Sequence, residues 1–124
     1  MDKYEKARNL YYLGLENFEN EDYENSLQSF IESNKLDEHS RTYARIYECL
    51  KKLGKNKEAK ENIEIAYKKN PMQDKVTLQY AEELVFDGKV WLAKEILEKL
   101  LIRNATYGPA KRLLEKINKG NFLN

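Results

Sequence analysis

Apolar residues recur along this chain at the spacing of one helix face, in blocks separated by short polar breaks. The clearest block runs from Tyr43 to Pro71. Tyr43, Ile46, Tyr47, Leu50 and Leu53 follow the i, i+3, i+4, i+7 pattern, and Ala59, Ile63, Ala66 and Tyr67 form a second stripe. Between them lies Leu53-Gly54-Lys55-Asn56. Gly54 lacks a Cβ and closes a helix cheaply in the left-handed conformation. Asn56 is expected to cap the second helix, and Asn70-Pro71 to stop it. Neither stripe can be buried inside the hairpin itself, so the hairpin requires neighbours on both sides.

The same grammar precedes and follows it. A first helix is expected from Asp2, with Asp2 and Glu5 as a capping box. Tyr4, Ala7, Leu10, Tyr11, Gly14 and Phe18 recur along it. Glu19 to Asp22 is a turn, and Tyr23 to about Leu36 a second helix with Leu27, Phe30 and Ile31 inward. Ser40 is expected to cap the central hairpin. After Pro71, Asp74 is expected to cap a helix carrying Val76, Leu78, Tyr80, Ala81, Leu84 and Val85. Asp87-Gly88-Lys89 then repeats the glycine turn. The segment Val90 to Arg103 is the most apolar, with Trp91, Leu92, Ala93, Ile96, Leu97, Leu100 and Leu101. Pro109 suits the first turn of a last helix, which carries Ala110, Leu113, Leu114 and Ile117 and runs to about Lys119. Beyond Gly120 a short tail follows, whose Phe122 and Leu123 could fold back.

These blocks are periodic. Ala59, Ile63, Ala66 and Pro71 superimpose on Ser26, Phe30, Ser33 and Glu38 at an offset of 33, and on Ala93, Leu97, Leu100 and Ala105 at 34. Gly54 and Gly88 are likewise 34 apart. The period and these positions resemble the tetratricopeptide repeat (TPR), a helix–turn–helix unit with small residues where its two helices cross. Leu13-Gly14, Tyr23 and Phe30 match in the first repeat, with Ser26 and Ser33 at the two alanine positions. Leu50, Gly54, Ala59, Ala66 and Pro71 match in the second, and Leu84, Gly88 and Ala93 in the third. Leu100 is large for its position, Ala105 replaces the closing proline, and Tyr47 and Ala81 stand where the first repeat has Gly14. The resemblance implies an all-α, right-handed superhelical solenoid of antiparallel helix pairs, about seven helices in one domain over 1–119. Its repeats would span about 7–39, 40–73 and 74–107, followed by a capping helix at about 109–119 and a tail at 120–124.

The resemblance also implies a concave groove lined by the first helix of each pair. That assignment selects Arg8, Tyr11, Tyr12 and Leu15, then Arg41, Arg45 and Glu48 with Ala44, then Lys75, Gln79 and Glu82 with Leu78. Arg and Tyr are residues on which interfaces concentrate their energy. The basic members would suit a segment with acidic groups or a free carboxylate. The plainer alternative is that Tyr11, Leu15 and Leu78 are partly core and the charges are solvated. Chaperone-binding members of the family clamp a C-terminal carboxylate at positions that here carry Tyr11, Leu15, Arg45, Lys75 and Gln79. Only Lys75 agrees with that pattern, so a heat-shock clamp of that type is not expected.

Charge and composition remove other classes. The 22 Lys and Arg nearly cancel the 21 Asp and Glu, so no long-range field draws the chain to nucleic acid or membrane. No apolar run approaches a membrane span, and the start of the chain carries no apolar leader core. Cys49 is the one cysteine and fits a reducing compartment, so a cytoplasmic location is expected. His39 is the one histidine, in a turn beside Asp37 and Glu38, without partners at metal-ligand or catalytic spacing. Cys49, mid-helix beside Glu48, reads as a small buried residue rather than a thiolate. Trp91 is expected to pack in the core; exposed, it would mark an interface. Lys51, Lys52, Lys55, Lys57 and Lys60 form a basic run that Glu58, Glu61 and Glu64 balance through helical ion pairs. No cofactor, metal or catalytic residue is expected. The sequence reads as a non-catalytic protein–protein interaction module that docks a peptide or helix. A self-associating scaffold, using the apolar region of the fifth to seventh helices, is the alternative. Nucleic-acid binding has less support.

Overall fold

The computed structural model describes residues 1–120 of the 124. The tail over 121–124, including Phe122 and Leu123, lies outside the described residues. Among the described residues the chain is all helix: α1 (Lys3–Glu19), α2 (Tyr23–Leu36), α3 (Ser40–Lys52), α4 (Asn56–Lys69), α5 (Asp74–Phe86), α6 (Val90–Arg103) and α7 (Gly108–Asn118). The chain divides into two compact units, one over Met1–Asn70 and one beginning at Pro71. The division falls at the break that Asn70-Pro71 introduces.

The three turns between paired helices share one hydrogen-bond pattern. In the second pair Leu53 N–H donates to Cys49 O, Gly54 N–H to Lys51 O and Lys55 N–H to Leu50 O. Residues 33 earlier and 34 later make the same bonds, with Glu21 and Gly88 in the place of Gly54. Gly54 and Gly88 have φ of 76° and 80°, and Glu21 has φ of 61°. The first turn therefore holds a glutamate in the left-handed region, where a side chain crowds the backbone.

In the first unit α1 and α2 cross at Gly14. A Cβ there would lie 2.6–2.8 Å from three ring atoms of Phe30, which is fully buried. Ser26 and Ser33, at the small positions of α2, donate to Gly14 O and Ala7 O, each at 2.7 Å. Cys49 Sγ donates to Ser26 Oγ at 3.3 Å, which ties α3 to the same crossing. Ala59, Ile63 and Ala66 of α4 are fully buried, and Ser40 Oγ donates to Ala66 O at 2.8 Å. Burial pushes the Cys49 thiol above its ordinary pKa, as expected of a packed cysteine rather than a reactive one.

In the second unit Ala93, Leu97 and Leu100 of α6 are fully buried with Val76, Ala81, Leu84 and Ala110. Leu100 fills its position despite its size. The closing proline is replaced by a polar clamp. Asp74 accepts from Arg103 Nε at 3.1 Å and Asn104 Nδ2 at 2.8 Å, and Arg103 Nη2 donates to Thr77 Oγ1 at 3.1 Å.

Helix starts follow the sequence reading only in part. Asp2 caps α1 by accepting from Glu5 N–H at 2.9 Å, and Asp22 caps α2. Ser40, Asn56 and Asp74 are instead the first residues of their helices, after His39, Lys55 and Gln73, which make no side-chain cap bond. Ser40 bonds to α4 and Asp74 clamps α6, while the turn bonds of Lys55 start α4 before Asn56.

Candidate functional site

Within the first unit α1 and α3 place five of the expected groove residues together. Tyr11 is 7% exposed and forms the base. The Arg41 guanidinium lies 4.6 Å from the Tyr11 ring centroid, a distance at which a cation is drawn to a ring face. Arg45 Nε donates to Tyr11 Oη at 3.1 Å, and Arg45 Nη1 donates to Glu48 Oε1 at 3.2 Å. Partial burial works against the Arg45 charge, but the Tyr11 hydroxyl and Glu48 outweigh it and hold the guanidinium firmly cationic. Arg8 joins Tyr11 and Arg41 around a recess of about 190 Å³, with Tyr4, Ser33 and Thr42 also on its walls. Helical spacing explains the grouping. Arg8 and Tyr11 are three apart on α1, while Arg41, Arg45 and Glu48 are four and three apart on α3.

The remaining first-unit residues border this cluster. Tyr12 is exposed and meets the Tyr11 ring edge-on at 6.0 Å, and Leu15 is half-buried. Tyr11 and Leu15 thus belong to the packing as well as to the face, as the plainer reading held. His39 Nε2 lies 3.0 Å from Asp37 Oδ2 at the edge of the recess. Among the described residues no group of three or more His, Cys, Asp or Glu is placed to hold a metal ion.

The opposite face of α3 lines a different recess, of about 520 Å³. Leu27 and Ile31 of α2 and Ile46 and Leu50 of α3 form its apolar floor, and Glu38, Tyr43 and Glu58 stand at its rim. Tyr43 Oη donates to Glu38, and Lys69 forms an ion pair with the same carboxylate. Both partners hold Glu38 below the ordinary carboxylate range, Lys69 more than Tyr43.

The second unit receives the other three expected residues in separate settings. Lys75 is exposed on the first turn of α5, whereas Gln79 is only 8% exposed and belongs to the packing of that unit. Glu82 is exposed beside two adjoining recesses between α5 and α7, of about 340 and 200 Å³. Their walls carry Leu113, expected only as an apolar residue of the last helix, with Phe86, Arg112 and Lys116, which the sequence reading passed over. The signal was present in α7, where Pro109, Arg112, Leu113 and Lys116 follow the i, i+3, i+4, i+7 pattern. Trp91 departs most clearly from its expected core role. It is 81% exposed, because Ala93, Ile96, Leu97 and Leu100 occupy the buried face of α6 and turn position 91 outward.

No helix among the described residues is long and apolar enough to cross a membrane. No family model matches the sequence, and no curated protein matches it. Solved structures do match. The TPR domain of Arabidopsis OM64 superimposes with a TM-score of 0.84 at 13% identity, over 95% of this chain and 98% of that one. The second TPR domain of human RPAP3, in complex with the HSP70 peptide SGPTIEEVD, gives a TM-score of 0.80 at 20% identity, over 94% and 98%. The Yersinia enterocolitica type III secretion chaperone SycD, in complex with a peptide of the translocator YopD, gives 0.71 at 19% identity, over 90% and 86%. At these identities the likeness shows the fold, in which antiparallel helix pairs repeat at the period seen in the sequence.

Proposed function

We propose that this chain, whose fold is that of the tetratricopeptide repeat, is a non-catalytic protein-interaction module that docks an extended acidic segment on the α1–α3 face of its first unit. The observation that carries the reading is the Arg41–Tyr11–Arg45 arrangement, with Glu48 holding Arg45 and Arg8 beside the recess. A cation already oriented by a buried tyrosine loses little freedom when it meets a carboxylate. Two of the similar folds described above were solved with peptides bound, which supports a peptide as the partner class. Tyr12 and Leu15 would flank the bound segment, and Lys75 and Glu82 are further candidates in the second unit. Gln79 is not carried forward as a contact. The buried free thiol of Cys49 supports work in the cytoplasm.

The test measures binding of fluorescein-labelled acidic peptides, with a free or amidated C-terminus, by fluorescence anisotropy. Lysine-for-glutamate versions serve as controls. Wild type is expected to prefer the acidic free-acid peptides. Arg8→Glu/Arg41→Glu, which changes two exposed side chains, is expected to weaken them about 10-fold or more, while loss of the Arg41 contact with Tyr11 lowers the melting temperature by only a few degrees. Equal affinity for the acidic and lysine versions, or full affinity in the folded variant, would refute the reading.

A further inference from the structure

The outward face of α6 belongs to neither recess nor groove. Trp91 is 81% exposed at its first turn and Ile102 85% exposed at its last. Eleven residues separate them, about 16 Å along the axis and about 20° around it, so both lie on one stripe. Between them the stripe is charged, with Lys94 and Glu98 along one edge and Glu95 and Lys99 along the other. Leu92, 40% exposed, widens the apolar end at Trp91.

This stripe is complementary to itself when a second copy is laid against it antiparallel. A two-fold axis lying between the helices, perpendicular to them, keeps each edge facing the same edge of the partner and reverses the direction of the chain. Centred at Ile96 and Leu97, such an axis brings Trp91 opposite Ile102 of the second copy. Along one edge it brings Lys94 opposite Glu98, and along the other Glu95 opposite Lys99. The mid-points of these three pairings fall within one residue of each other, so a single axis serves all of them. The symmetry makes each pairing twice, giving four opposite-charge contacts between two apolar ends.

We infer that α6 is a homodimer interface, with a second copy of this chain as its occupant. The observation that names the occupant is the charge order of the stripe, which an unrelated partner would have no reason to mirror. The contact is one helix face wide, well below the roughly 1,600 Å² of a standard interface, so the dimer is weak and concentration-dependent.

Trp91 is the only tryptophan in the chain, so its fluorescence reports this face directly. Sedimentation velocity and tryptophan emission are measured together across about 5 to 500 µM protein, a range suited to weak interfaces. The expected result is a monomer-to-dimer shift accompanied by a blue shift of emission. Lys94→Glu/Lys99→Glu makes both edges acidic, and Glu95→Lys/Glu98→Lys makes both basic. Each is expected to weaken dimerisation about 10-fold or more. Mixed in equal amounts they are expected to restore it as a heterodimer. Circular dichroism confirms that each variant is folded. A wild type that stays monomeric with unchanged emission overturns the inference. So does a dimer that survives in both charge variants, or one that the mixture fails to restore.

Discussion

Glycine in the middle of a helix normally weakens it, so Gly14→Ala on an exposed surface would stabilise by about 1 kcal/mol. Here the opposite is expected. The new methyl group would lie at 2.6, 2.8 and 2.8 Å from three atoms of the Phe30 ring, well inside van der Waals contact. The ring cannot swing into solvent, because Phe30 is fully buried and packs edge-on against Tyr11 at 5.4 Å. The α1 backbone cannot retreat without lengthening the Ser26 Oγ to Gly14 O bond of 2.7 Å. Overpacking of this kind costs roughly 1–3 kcal/mol. With the propensity gain subtracted, the net loss is about 0–2 kcal/mol, a drop of up to several degrees in melting temperature. Urea unfolding by circular dichroism measures the loss, and amide exchange across α1 and α2 shows whether it arises there. Phe30→Leu supplies the control. Alone it leaves a void and costs about 1–2 kcal/mol, but it gives the new methyl group room. The double variant should therefore be more stable than the sum of the singles by about 1 kcal/mol. A Gly14→Ala protein that is more stable than wild type, or additive with Phe30→Leu, would refute the close-crossing argument.

Two further outcomes follow from the same packing. Glu21→Gly is expected to stabilise by about 0.5–1 kcal/mol, since the left-handed cost of roughly 1–2 kcal/mol exceeds the extra chain entropy of glycine, whereas Gly54→Ala loses stability at a similar φ; thermal unfolding of both variants decides it, and an unstable Glu21→Gly would count against the shared turn. Cys49 should react with a disulfide reagent at pH 8 only as fast as the first unit opens, because its thiol is buried and its pKa is raised; the rate should rise with urea, and immediate labelling of the native protein would contradict that placement.

How much was legible beforehand depended on which residues each feature required. The periodic apolar positions, Phe30, Ile63 and Leu97 above all, occupy the buried face they predicted, because periodicity and burial express the same helix geometry. The glycine turns marked two of the three turns within helix pairs outright. The third, Glu19 to Asp22, was legible as a turn from its polar break alone, and its conformation was not foreseen: Glu21 adopts the glycine conformation without the glycine, held by the same backbone bonds. Caps were only half legible. A side chain such as Asp74 can serve a free helix end or a distant arginine, and local sequence does not say which bond is formed. The candidate site divided in the same way. Arg41 and Arg45 were recognisable as a basic pair on one face, but the tyrosine between them comes from another helix. Phe86 went unnoticed and Leu113 counted only as an apolar helix position for that reason, since their recess lies where α5 meets α7.

The sequence by itself determined the helices, their order, the repeat and the small residues at the crossings, because each depends on spacing within about 34 residues. Tertiary structure alone decided which apolar side chains remain outside. Trp91 and Leu97 belong to the same apolar run, yet one is 81% exposed and the other fully buried. A helix 14 residues long has only one face to bury, and the neighbouring helices select that face. The residues left on the other side are those available to a partner.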